Sequence, residues 1–548
     1  MDKSLAYCAL TLRRPPAMRL SALWPGGFAV FFLVAVVGGS LLTVVLQFRD
    51  SNLVEVLSDT YLHSVIRFTL WQAMLSTLLS VGLALPVARA YARQSHFFGR
   101  HTLVMLMGLP VVMPVIVAVL GIVSIYGHNG VINQLLRVTG VAPAFNIYGL
   151  SGILLAHVFF NLPLAVRLLL PAWEQIPGES WRLANTLGMS SSQLFRFIEW
   201  PSLTSFLPGT LVIIFLLCFT SFAVVLTLGG GPNATTVEVA IYQTLRFDFD
   251  PARATLLALI QLALCATIAL AMIRWLRALP ISQGLQLQTK DRPDCQALTY
   301  RIQDAVLIVA STLFIGLPIA AIVVAGLQGP ILGVILDPVL WQATGRSLGI
   351  ALLATSLASL VALGLAMTAR RLVLEYRKPQ ATDIALWVGS LTLAVPPMVI
   401  GTGLFLWVLM TDMPQMTTLL LIALVNALMV LPYALRSIAP VLINSGRHYH
   451  RLCQQLGLEG WMRFRLIDWP AIRRPVAFAA GLGGALSFGD MGVAALFDTS
   501  GAITLPVMLY YRMSAYRFDE AAVTALVLVL ISVLVFWLLN RTLGRWPS

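Results

Sequence analysis

Apolar runs of about twenty residues recur along this chain, separated by short polar stretches. They fall near 23–46, 65–88, 102–126, 149–170, 206–228 and 253–274. A second set falls near 303–327, 346–369, 384–410, 417–437, 476–497 and 520–540. Coiled as an α-helix at about 1.5 Å per residue, a run of this length matches the hydrocarbon core of a bilayer. A helix also satisfies its backbone polar groups within the segment, which lipid requires. The pattern predicts an all-α integral membrane protein with about twelve transmembrane helices, grouped as six plus six.

Composition agrees. Hydrophobic residues make up 58% of the chain and charged residues 11%, with a mean hydropathy of +0.85. A soluble domain carries about 25% charged residues. The net charge of +13 does not indicate nucleic acid, because the basic residues sit in alternate loops. One set holds Arg89, Arg93 and Arg100, then Arg182 and Arg196, then Arg274, Arg277, Lys290 and Arg292. In the second half the same set holds Arg370, Arg371, Arg377 and Lys378, then Arg447, Arg451, Arg463, Arg465, Arg473 and Arg474, then Arg541 and Arg545. The other loops are poorer in Arg and Lys. By the positive-inside rule both termini face the cytoplasm of a multi-pass inner-membrane protein. Arg13, Arg14 and Arg19 precede the first run, which is too long for a signal-peptide core and reads as an uncleaved span. Five scattered cysteines (Cys8, Cys218, Cys265, Cys295 and Cys453) show no paired spacing and are expected to be free thiols.

Two polar loops repeat each other at an offset of 269 positions: RLANTLGMSSSQLFRFIEWP from Arg182 to Pro201, and RLCQQLGLEGWMRFRLIDWP from Arg451 to Pro470. At the same offset NLPLAVR (161–167) matches VLPYALR (430–436). Six spans per half insert both halves in one orientation, so the repeat is parallel, about an axis along the membrane normal. The expected organisation is a first half over 1–276 with its loop at 174–201, a cytoplasmic linker over 277–301, and a second half over 302–548 with its loop at 443–470. Within each loop a glycine, Gly188 or Gly457, separates two short helical stretches and permits a left-handed turn. Pro201 and Pro470 suit the start of the following helix. The result is a helical elbow with Leu183, Leu187 and Phe195 as apolar anchors, a shape that docks into a groove on a partner.

The pattern Ala184, Gly188, Ile198 and Pro201, with its twin Gly457, Ile467 and Pro470, resembles the EAA loop of ABC-importer permeases. Arg182 and Arg451 stand where that family has glutamate, and Trp200 and Trp469 stand before the proline where it has leucine. The fused layout narrows the resemblance to permeases for ferric iron and for thiamine, and the match to thiamine permeases is close. It runs through YGLSGILLAHVFFNLPLAVRLLL (148–170), LGGGPNATTVEVAIYQTLRFDFDPARATLLALIQ (228–261) and LSFGDMGVAALF (486–497). It implies a type I ABC-importer-like fold and a permease for thiamine and its phosphate esters. It also implies two copies of an ABC ATPase subunit at the elbows and a periplasmic thiamine-binding protein.

The chain has three lysines, Lys3, Lys290 and Lys378, none in a phosphate-binding loop. No catalytic, metal or cofactor constellation appears, so ATP and Mg are expected on the separate ATPase. Asp490 falls inside the eleventh run. A carboxylate at that depth lines a path, here for a cationic thiazolium, caps a broken helix beside Gly489 and Gly492, or pairs with a buried arginine. His157 and Asn161 suit helix–helix hydrogen bonds. The outer segments 229–252 and about 498–519 suit either contact with a delivery protein or plain solvation. Pro110, Pro114, Pro163, Pro396, Pro397 and Pro432 predict kinks. The alternatives are a fused permease for ferric iron or another small solute, an ion-coupled secondary transporter, and a membrane enzyme.

Overall fold

The computed structural model describes residues 24–48, 59–94, 97–140, 146–276, 292, 294–295, 297–393, 395–411, 415–498 and 503–544. The early arginines Arg13, Arg14 and Arg19, Cys8, Arg545 and most of the linker lie outside the described residues. The described residues form helices and no strand. Eleven of those helices are long and apolar enough to cross a bilayer, where the pattern predicts about twelve.

The difference lies in the run at 384–410. It is helical in two pieces, Pro379–Ser390 and Pro397–Thr411, each below spanning length. Pro396 and Pro397 sit at the break. Consecutive prolines remove two N–H donors and push the preceding backbone out of the α region. The matching run of the first half, 102–126, is broken in the same manner into Arg100–Leu106, Leu109–Val112 and Val115–Tyr126. Met113, just before Pro114, is extended at ψ 133°.

The chain packs as two units that draw on both sequence halves. One contains the described residues of Met1–Val44, Arg346–Phe488 and Val533–Ser548; the other contains those of Val45–Gly345 and Gly489–Ser532.

In the second of these, Thr60–Arg93 lies along Leu150–Glu174. Its buried face carries Thr69, Ala73, Ser76, Thr77, Ser80, Ala84 and Ala88. Small side chains let helix backbones approach closely where the hydrophobic effect offers no drive between helices. Two of the buried polar side chains of Thr60–Arg93 bond to neighbouring helices. Ser76 Oγ and His157 Nδ1 are 2.8 Å apart, and Gln72 Nε2 donates to the Cys218 carbonyl at 3.0 Å. Leu298–Gln328 belongs to the same unit and packs against Thr60–Arg93 and Val115–Tyr126. A Cβ on Gly121 would fall 2.6 Å from the Pro318 carbonyl oxygen, so only glycine fits this crossing.

In the other unit the first span takes the reciprocal place. Ser40 Oγ donates to the Ile400 carbonyl at 2.8 Å, which ties the Gly39–Phe48 helix to Pro397–Thr411. The long Gln415–Gln455 helix packs on Trp469–Phe488. There Asn426 Nδ2 donates to Ser487 Oγ at 3.0 Å. Asn426 stands at the repeat position of His157, so both copies spend a buried polar side chain on an interhelical bond.

Candidate functional site: two matched elbows

Each repeated loop folds as an elbow. In the first copy the helix Gly178–Thr186 ends on Gly188, which has φ +62°. The Met189 N–H bonds the Ala184 carbonyl at 3.1 Å and the Gly188 N–H bonds the Asn185 carbonyl at 3.1 Å. This is a Schellman ending, closed by a left-handed residue one place past the cap. Ser190 then caps the next helix, Ser191–Leu194, in a capping box with Gln193. The second copy repeats the turn. Gly457 also has φ +62°, and the Leu458 N–H bonds the Cys453 carbonyl at 2.9 Å. No atom lies within 4 Å of the Cβ position of either glycine, so backbone conformation alone demands glycine there. Ala184 and Cys453, whose carbonyls accept the closing bonds, are both buried.

Past the turn, both copies widen into one π-helical turn, Phe195–Glu199 and Phe464–Asp468. Such turns mark functional sites more often than chance. Here the turn carries Ile198 and Ile467, both half-buried, and points an acid inward. Glu199 is 0% exposed and Asp468 is 1% exposed. Pro201 and Pro470 follow at the second position of Trp200–Phe219 and Trp469–Phe488. Arg182 and Arg451 lie on the exposed side of the elbows. The outward apolar face consists of Leu183, Leu187 and Phe197 in the first copy and Leu452, Leu456 and Leu466 in the second. Leu187 is 67% exposed and Leu456 is 62% exposed. Phe195, expected among the anchors, turns inward instead. Its ring lies 5.0 Å from the Arg89 guanidinium and 5.9 Å from Trp200.

The inward acids anchor the elbows. Glu199 accepts from Arg89 Nε at 2.8 Å, from Arg89 Nη2 at 3.2 Å and from Trp173 Nε1 at 2.9 Å. Arg292 Nη2 adds a fourth bond at 2.7 Å. In the second copy Arg370, from the matching end of Pro338–Leu374, bonds Asp468, and Arg463 Nε stands 3.9 Å from the same oxygen. Sequence reasoning counted these arginines only toward topology. The signal for their role was the Glu199-to-Asp468 exchange, which preserves an acid inside an otherwise apolar repeat.

Asp294 joins the first cluster. Burial alone would raise its carboxyl. The charge and hydrogen bonds of Arg292, with Arg93 and Arg89 near, outweigh burial and hold it below the usual carboxylate range. A depressed folded-state value means its contribution is complete at neutral pH. That contribution is lost only as pH falls below the ordinary carboxylate range.

Asp490 lies in the unit of the first elbow, between Trp469–Phe488 and Gly492–Leu496. The eleventh run is therefore broken at this residue. Asp490 Oδ1 accepts from the Gly492 N–H at 3.2 Å, the capping arrangement foreseen from its glycine neighbours. The described residues of 229–252 and 498–519 are more ordered than solvated loops. They contain the helices Val237–Arg246 and Leu505–Ser514, both largely buried. Each is followed by an exposed aromatic held at positive φ, Phe249 at +52° and Tyr516 at +59°. Arg246 Nη2 donates to the Asp498 carbonyl at 2.8 Å and links the two segments.

Spanning helices in two fused sets, with an elbow duplicated to the level of its turn glycine and inward acid, define a multi-pass permease of the ABC transporter class. No family model matches the chain. Curated relatives do. The thiamine transport system permease protein ThiP of Brucella abortus (strain 2308) is 43% identical over 534 residues, covering 96% of this chain and 97% of the relative. ThiP of Escherichia coli (strain K12) is 43% identical over 522 residues, covering 95% and 96%. ThiP of Haemophilus influenzae (strain ATCC 51907 / DSM 11121 / KW20 / Rd) is 36% identical over 518 residues, covering 94% and 95%. The chain belongs to this family of thiamine transport permeases.

Proposed function

We propose that this chain is the inner-membrane subunit of an ATP-driven importer that carries thiamine and its phosphate esters from periplasm to cytoplasm. The observation that carries the reading is the pair of matched elbows in a chain related along nearly its whole length to thiamine permeases. In this reading both termini and both elbows are cytoplasmic. The two halves are 1–276 and 302–548, joined by the linker 277–301. Two copies of an ABC ATPase subunit, which hold the ATP and Mg, take the elbows into grooves on their surfaces. Leu183 and Leu187, or Leu452 and Leu456, supply the apolar contact. Arg182 and Arg451, in place of an acid, flank it. When the ATPase pair closes, each elbow transmits the pull through its inward acid to an arginine on a long helix: Glu199 to Arg89, Asp468 to Arg370. The helix breaks near Pro114 and Pro396 give the bundle places to bend.

On the outer side, a periplasmic thiamine-binding protein delivers the substrate. Phe249 and Tyr516 suit that contact, because an exposed aromatic held in a costly backbone conformation is fixed in place before a partner arrives. Asp490 faces the path of the cationic thiazolium, and its carboxylate attracts the ring while one oxygen caps Gly492.

The test is uptake of labelled thiamine in cells lacking their own importer. The chain is expressed alone, or with a candidate ATPase and a candidate binding protein. Uptake that needs all three, and stops with a hydrolysis-dead ATPase, supports the reading. Uptake by this chain alone overturns it in favour of secondary transport. An assembled complex that takes up ferric iron or another solute but not thiamine overturns the substrate.

A further inference from the structure

We propose that Arg292 and Asp294, from the segment between the two halves, form a brace that positions the first elbow. The inference rests on the reading of the elbows as docking elements for an ATPase.

A plain tether has no reason to bury charge, because burying an unpaired ion is expensive. Yet Arg292 and Asp294 are both buried. Arg292 touches both arms of the elbow. Its guanidinium stacks 4.4 Å over the ring of Trp181 on the first arm, and its Nη2 bonds Glu199 at 2.7 Å at the end of the second. Its Nε pairs with Asp294 Oδ1 at 3.1 Å. Asp294 Oδ2 in turn accepts from Ser191 Oγ at 3.3 Å, where the second arm begins. It also accepts from Arg93 Nε at 3.1 Å. Arg93 reaches on to Asp304 at 3.0 Å, on Leu298–Gln328. Three guanidinium groups, Arg89, Arg93 and Arg292, thus meet three carboxylates, Glu199, Asp294 and Asp304, and the cluster is neutral. The angle between the arms is fixed by a network closed at both ends.

The second elbow has the acid and the long-helix arginine but no such arm among the described residues. Leu442, Leu374 and Gly460 stand at or near the places of Trp173, Arg93 and Ser191. Asp468 Oδ1 and Arg463 Nη2 are buried without a hydrogen-bond partner. Among the described residues the two elbows share a backbone and differ in support. An ATPase bound to the first meets a preset surface.

The test uses the full chain in lipid nanodiscs, followed by amide hydrogen exchange, with Arg292→Gln as the variant. Exchange across 178–201 should rise about tenfold or more, the size expected for losing a charge-assisted hydrogen bond. Exchange across 447–470 should not change. Asp294→Asn, which leaves Arg292 on Glu199, should give a smaller rise in the same segment and serves if Arg292→Gln does not accumulate. With the ATPase and binding protein present, Arg292→Gln should raise the ATP hydrolysed per thiamine transported several-fold, and Arg292→Lys should restore part of the coupling. Unchanged exchange across 178–201 overturns the brace. Raised exchange with unchanged ATP per thiamine makes the network structural only and overturns its positioning role. If the wild-type chain binds no ATPase, the proposed function fails, while the exchange result still decides whether the brace exists.

Discussion

At the scale of single residues, Gly188 and Gly457 show a requirement that packing does not explain. The space around each is open, and each has φ +62°. A residue with a Cβ pays about 1–2 kcal/mol to hold that conformation, and a β-branched residue pays more. Gly188→Val and Gly457→Val should therefore unseat the Schellman turn without disturbing the membrane helices. Labelled-thiamine uptake should fall at least tenfold while the chain's level in the membrane stays normal. Uptake at the wild-type rate would remove the elbows from the mechanism. Asp490→Asn tests a different residue. Asparagine keeps an oxygen to accept the Gly492 N–H, so the helix break should survive. Only the charge is lost. Uptake of cationic thiamine should slow several-fold with assembly intact, and an unchanged rate would leave Asp490 as a cap alone. The glycines were legible because the repeat lines them up. The partners of the inward acids were not: Arg89 lies 110 positions before Glu199, and nothing in a single sequence joins them.

At the scale of elements, the long apolar runs announced the helices, because bilayer thickness sets their length. Three features stayed hidden for physical reasons. A π turn costs one extra residue and leaves no compositional mark, so Phe195–Glu199 and Phe464–Asp468 read as ordinary helix. Hydropathy is blind to breaks, so 384–410 looked like one span although two prolines divide it. The buried helix Val237–Arg246 hid behind the acids and glycines around it. The elbow's outward face is the most testable element. Leu187 and Leu456 are exposed, and exposed substitutions usually change stability by no more than about 0.5 kcal/mol. Leu187→Glu and Leu456→Glu should therefore keep the fold. In the reading above they should weaken ATPase capture by the full chain about tenfold or more, since docking would bury a charge in an apolar groove. Pull-down of the ATPase with each variant, beside a thermal unfolding curve, separates the two effects. Lost capture with an unchanged curve is the expected result; full capture would move the docking face elsewhere.

At the scale of the molecule, sequence halves and packing units divide the chain differently, and the difference has a consequence for assembly. The repeat makes each half look self-sufficient. The first span nevertheless packs with the described residues of 346–488, and Leu298–Gln328 packs with the spans that precede it in the chain. A first half produced alone leaves the Val115–Tyr126 face around Gly121 without the helix that approaches it to backbone distance. In lipid such an interface is held by close contact of small residues and a few hydrogen bonds, and a missing helix is not replaced by acyl chains of the same shape. A chain cut between 277 and 290 should therefore behave asymmetrically. The fragment 1–285 alone should be degraded or protease-sensitive. Expressed with 286–548, both fragments should accumulate, copurify and recover a substantial part of thiamine uptake, because the exchanged spans find their places without a covalent link. Arg292 and Asp294 remain on the second fragment and would still reach the first elbow, so recovered uptake would also mean that the linker matters for its buried end more than for its continuity. Stable accumulation of 1–285 by itself would show instead that the half folds as its sequence repeat suggests, with Leu298–Gln328 as a later and dispensable addition.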